Sequence, residues 1–145
     1  RTFILTPLER TSPAALALGR ALAEAAGAQV LVLDAQRQDY IVSTVSHLPY
    51  LLSCALVRTA DATVSSDPAS WEVIASGFRS TSRLAGSDVT MMTDILMTNR
   101  QPVLDALAAY KDQLDQLTRL VENGDAEALR AVLAAVRERR KLMFP

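Results

Sequence analysis

From Asp34 onward the chain carries no convincing strand, and its apolar residues recur at spacings of three and four. That period marks helices that bury one face. The first 33 residues are different. Thr2 to Leu5 is short, β-branched and aromatic, and stops at Thr6-Pro7, as a strand ended by a turn does. Ser12-Pro13 pairs a capping hydroxyl with a first-turn proline, and the following stretch to Ala26 is rich in alanine, leucine, arginine and glutamate. Gly27 stands where a helix C′ residue belongs, and Ala28 to Leu33 reads as a second strand. The expected fold is therefore mainly α, with a short strand–helix–strand piece of an α/β sheet over 1–33 and an all-helical domain over 34–145.

Within the helical part, Asp34 caps a long helix running to Arg58 and kinked at Pro49, which has no N–H to donate. Ile41, Val45, Leu48, Leu52 and Leu56 supply its buried face. Asp61 to Ser66 reads as a polar loop. Asp67-Pro68 opens a helix with Trp71 and Ile74 on its apolar side, ended by Gly77. Ser80 to Leu84 is a short turn or helix broken at Gly86. Ser87-Asp88 caps a helix to about Asn99, and Gln101-Pro102 restarts or kinks the chain. A stripe of Val103, Leu107, Tyr110, Leu114, Leu117 and Val121 follows, then a turn at Asn123-Gly124 and a last helix capped by Asp125. The apolar share, 50% of residues, is high for a monomer of 145 residues. A second copy covering part of it, as a C2 dimer, is expected; a self-sufficient helical bundle is the alternative.

Composition removes several function classes. A net charge of −1 argues against a general nucleic-acid binder. One cysteine excludes a disulfide framework and a cysteine-rich zinc site, and one histidine excludes a histidine-cluster metal site. No apolar run approaches the ~20 residues of a membrane span, and nothing resembles a signal peptide, so no membrane partner and a cytoplasmic location are expected. The five glycines lie far apart, so no phosphate-cradling loop is present. With no initiator methionine before Arg1, the expectation is either that the chain binds no nucleotide or that the part that does so lies outside it.

No self-contained catalytic set is visible. His47 follows Ser46 directly, but neighbours on a helix point about 100° apart. Asp39 is two turns away, about 12 Å along the axis, too far to orient the ring directly. On spacing alone His47 is either a histidine satisfied in the helical core or a polar group opened by the proline kink. Cys54 reads as buried and inert rather than nucleophilic. Arg79 and Arg83, among three hydroxyl residues, suit an anion, because guanidinium matches a carboxylate bidentately; a solvated turn is the competing reading. Asp88 and Asp94 read as capping and ion-pairing groups.

Three blocks together carry a resemblance: Ser46-His47-Leu48-Pro49-Tyr50-Leu51-Leu52, Gly77-Phe78-Arg79-Ser80-Thr81-Ser82-Arg83-Leu84-Ala85, and Ser87 to Ile95 with Asn99-Arg100. In that order and spacing they resemble the prephenate/arogenate dehydrogenase family. The resemblance implies oxidative decarboxylation of prephenate or arogenate with NAD or NADP in tyrosine biosynthesis. It implies an N-terminal Rossmann domain, a C-terminal helical domain that forms a homodimer, and a cleft between them. Residues 1–33 would then be the tail of the Rossmann domain. Arg83 matches the arginine that binds a substrate carboxylate, and His47 a histidine lining the substrate pocket. Ser46 and Thr81 would stand behind them. The family's catalytic histidine and glycine-rich loop belong to the Rossmann part, so this chain alone is expected to be inactive, with no catalytic, cofactor-binding or metal residue of its own. Departures from the family pattern are Gln38, Ser80, Val89 and Met92. Ser80 replaces an acid, which leaves Arg83 less paired or shifts the pairing to another acid. Val89 and Met92 bear on substrate preference, and the changes at Gln38 and Ser80 keep open a free-standing, non-catalytic helical interaction module.

Overall fold

A computed structural model describes residues 1–144. The chain opens with β1 (Thr2–Leu5), α1 (Pro13–Ala25) and β2 (Gln29–Val32). The strands pair in parallel, Thr2 against Gln29 through Leu5 against Val32, joined by the α1 crossover. Ser12 caps α1 by accepting from the Ala15 N–H at 3.1 Å. Gly27 turns the chain back with φ +75°, a left-handed conformation that a side chain would strain. Ala23 and Leu33 are buried in this part.

The remainder is helical: α2 (Ala35–Val42), α3 (Leu48–Val64), α4 (Ser76–Ser82), α5 (Val89–Thr98), α6 (Arg100–Glu122) and α7 (Ala126–Met143). A π-helical turn, Ser43–His47, joins α2 to α3, and 3₁₀ turns occupy Pro68–Trp71 and Arg83–Gly86. The strand–helix–strand opening followed by helices agrees with the expected fold class. So do the caps. Asp34, Asp88 and Asp125 each accept from the backbone N–H three residues on, at 2.8, 2.7 and 3.0 Å. The chain forms two compact units, Arg1–Leu104 and the residues from Asp105 on, with the boundary inside α6.

Several local expectations need correction. The break near Pro49 is a π-turn: the Leu48 N–H reaches back five residues to the Ser43 carbonyl. The wider turn absorbs the missing proline donor without ending the helix. It also shifts the side-chain register, so Val45 is 67% exposed rather than part of a buried stripe, and Ile41 is exposed as well. Leu48 stays buried and Leu52 and Leu56 are half-buried. Residues 61–64 are helical, not a loop. Thr59 and Thr63 return their hydroxyls to carbonyls four residues back, at 2.9 and 2.8 Å, so their polar side chains do not compete with the helix. After Asp67-Pro68 only one 3₁₀ turn forms, and Gly77 lies within α4 instead of ending a helix.

The stretch Ala35–Val64 also corrects the membrane argument. It is 30 residues of continuous helix containing an 18-residue window of mean hydropathy 1.4, long and apolar enough to cross a membrane by length and composition. Counting uninterrupted apolar residues missed it. Its buried residues, however, include Ser43, His47 and Ser53, and the last two bond to distant parts of the chain.

Ser53 ties α3 to the 3₁₀ turn. It is fully buried, and its Oγ accepts from the Ala85 N–H at 2.7 Å. Removing the hydroxyl leaves a buried amide without a partner. Ser53→Ala is therefore expected to destabilise the chain by about 1–3 kcal/mol in urea unfolding. A loss below about 0.5 kcal/mol, the level of an ordinary surface change, would show that this contact does not hold the turn.

Candidate functional site

His47 is the last residue of the π-turn and is buried. Its Nδ1 lies 3.2 Å from Nδ2 of Asn99. Asn99 is the single residue between α5 and α6. Its own N–H closes α5 on Ile95 O at 3.0 Å, and its carbonyl accepts the Val103 N–H of α6 at 3.1 Å. Backbone on both sides thus fixes where its side chain points. The same Nδ2 donates to the Asp39 carbonyl at 2.8 Å. That carbonyl also accepts the Ser43 N–H where α2 passes into the π-turn. Ser43, fully buried, donates its hydroxyl to Tyr40 O at 2.7 Å. One asparagine therefore clamps the π-turn to the α5–α6 junction.

Asp39 thus belongs to the surroundings of His47, without orienting the ring directly. It acts through its carbonyl and Asn99, and through its charge. The His47 pKa lies below the ordinary imidazole value. Burial is the larger cause, and the Asp39 carboxylate opposes it. The sign for stability follows. The unfolded chain binds a proton near pH 6.5 and the folded chain only at lower pH. Folding stability is therefore full above about 6.5 and declines as pH falls below it. Replacing the only histidine by glutamine, His47→Gln, is expected to flatten that decline. Equal slopes for the two proteins in urea melts taken across this range would contradict the assignment.

Arg83 opens the 3₁₀ turn Arg83–Gly86, is exposed, and makes no ion pair among the described residues. The turn packs on α3 and is pinned there two residues later, where Ala85 meets Ser53. Ser53 is six residues beyond His47, about 9 Å along the helix axis. The two sequence-predicted residues therefore sit on elements anchored to the same helix, one buried and hydrogen-bonded, the other free to meet an anion. Ser46 and Thr81 are exposed. Cys54 is half-buried rather than buried, and a hydrogen bond with its side chain is the main cause holding the Tyr50 phenol pKa above its ordinary value.

Comparison with known proteins settles the relationship. The family model for the prephenate dehydrogenase dimerization domain matches residues 34–135. The chain belongs to that family. It is 30% identical over 110 residues to the prephenate dehydrogenase of Lactococcus lactis, covering 76% of this chain and 31% of that protein. It is 29% identical over 127 residues to the Bacillus subtilis prephenate dehydrogenase, covering 88% and 34%. The chain thus spans about a third of the length of these relatives. Among solved structures, an Aquifex aeolicus prephenate dehydrogenase in complex with hydroxyphenyl propionate and NAD+ aligns with a TM-score of 0.91 at 29% identity, over 98% of this chain and 50% of that one. Synechocystis arogenate dehydrogenase aligns with a TM-score of 0.86 at 29% identity, over 98% and 52%.

The residue that sequence reasoning missed is Asn99. It stood in a quoted motif and at an expected helix end, where asparagine reads as a cap. Its side-chain partners lie 52 and 60 residues away, and no local pattern announces them.

Proposed function

We propose that this chain is the dimerization and substrate-carboxylate part of an NAD- or NADP-dependent dehydrogenase that oxidatively decarboxylates prephenate or arogenate. Family membership and the position of Arg83 support this reading. An exposed guanidinium without an acidic partner among the described residues, on a turn pinned by a buried hydrogen bond, is prepared for a carboxylate. In this reading Arg83 binds a substrate carboxylate, and His47 offers a polar contact from the pocket wall. The residues present do not fit the nicotinamide cofactor. Its pyrophosphate needs a glycine-rich loop at a strand–helix junction, and Gly19, Gly27, Gly77, Gly86 and Gly124 are isolated. We assign cofactor binding to a Rossmann domain of which β1, α1 and β2 are the last elements. The exposed Phe3, Leu31 and Val32 of the strand pair suit a wider sheet.

The second half of the proposal is a homodimer. Helix α7 is an 18-residue amphipathic helix without a buried residue. Its Val132, Leu133 and Val136 are exposed, as are Leu114 and Val121 of α6. Helices hold their shape mostly by packing an apolar face, so a second copy is assigned to this one. We place the protein in the cytoplasm.

The test is genetic. A gene joining this chain to its nucleotide-binding domain should restore growth without tyrosine to a bacterium lacking its own prephenate dehydrogenase. Failure of a well-expressed, folded protein to do so would favour the non-catalytic module.

A further inference from the structure

We infer that Asn99 is a positioning residue that fixes His47 as a neutral imidazole with its proton on Nε2. The Asp39 carbonyl can only accept, so the Asn99 atom 2.8 Å from it must be the amide nitrogen. That nitrogen carries two hydrogens. One serves Asp39, and the other faces His47 Nδ1 at 3.2 Å. The amide cannot turn its oxygen to the ring without placing two acceptors against each other at Asp39. Nδ1 must therefore present a lone pair, because a proton there would set donor against donor. This removes both the imidazolium and the Nδ1–H tautomer. The low pKa of the ring agrees, with burial outweighing the Asp39 carboxylate.

The consequence lies at the other ring nitrogen. Nε2 makes no hydrogen bond among the described residues, and no buried side-chain nitrogen or oxygen there lacks a partner. Nε2 is therefore not fully sealed off, although the residue as a whole is buried, and it presents an N–H. A neutral donor suits an oxygen acceptor, a carboxylate or a ketone, and does not suit a ligand group that itself must donate. The identity of that acceptor as a substrate oxygen rests on the function proposed above; the tautomer does not.

The chain has one histidine, so its imidazole signals need no assignment. In a long-range proton–nitrogen correlation spectrum of the labelled 145-residue chain above its titration, we expect one pyrrole-type nitrogen coupled to both ring carbon-bound protons, which is Nε2. The other nitrogen should be pyridine-type. A pyrrole-type Nδ1, or two averaged shifts, would overturn the inference. Asn99→Asp replaces the donor with an acceptor and should move a proton onto Nδ1. Asn99→Ala removes the donor and should pull the two shifts together. Unchanged shifts in both folded variants would also overturn the inference. The wild-type spectrum decides the tautomer whether or not a variant folds. In the intact enzyme, Asn99→Asp should raise KM for substrate on the order of tenfold, the effect of one hydrogen bond, with cofactor KM unchanged. An enzyme inactive on both substrates would sink the proposed function and leave the spectrum's answer standing.

Discussion

Replacing Arg83 by alanine in the full-length enzyme should raise KM for prephenate or arogenate by about 10- to 150-fold, the range of a charge-assisted hydrogen bond lost at 1.5–3 kcal/mol. KM for the nicotinamide cofactor should stay near the wild-type value. The split is the informative part. Arg83 is exposed and has no ion-pair partner among the described residues, so its removal orphans no buried group. Folding should change by no more than about 0.5 kcal/mol. Arg83→Lys should recover only part of the loss, because an ammonium keeps the charge but cannot match a carboxylate with two parallel bonds. Parallel rises in both KM values would refute the carboxylate role.

The second large effect concerns assembly. In solution the chain should have about twice its 15.7 kDa mass at micromolar concentration. Leu133→Glu on α7 should drive it toward the monomer. Leu133 is 53% exposed in the single chain, and Val136, one turn on, is 60% exposed. A charge at an exposed position costs a monomer little, but in an interface it must be desolvated without a partner, at several kcal/mol. The same substitution thus separates the two states. A wild-type monomer, or a Leu133→Glu protein with unchanged mass, would remove the dimer.

What could be read from the sequence was local chemistry. Ser12, Asp34, Asp88 and Asp125 announce their helices because a cap satisfies N–H groups within three residues. Gly27 and Gly124 announce turns because only a left-handed backbone, φ +75° and +63°, closes those helices. Pro49 announces a disturbance. It cannot say whether the helix bends, stops or widens into a π-turn, since that depends on which distant groups hold the freed turn. Here Asn99 holds it, from the C-terminal end of α5. The same limit hid the link between Ser53 and Ala85, 32 residues apart. His47 and Arg83 could be named from motifs. Their contrasting states, one buried and clamped and the other exposed, come only from how the π-turn meets Asn99 and how the 3₁₀ turn packs on α3 near Ser53.

The central claim is that this chain completes a substrate site for oxidative decarboxylation. Its most direct test is an assay of the intact enzyme, measuring nicotinamide reduction and carbon dioxide release together. With prephenate or arogenate the account predicts equal amounts of reduced cofactor and carbon dioxide, both formed about 10- to 150-fold more slowly when Arg83→Ala is assayed at low substrate. Neither product from either substrate, with a folded protein and bound cofactor, would contradict it.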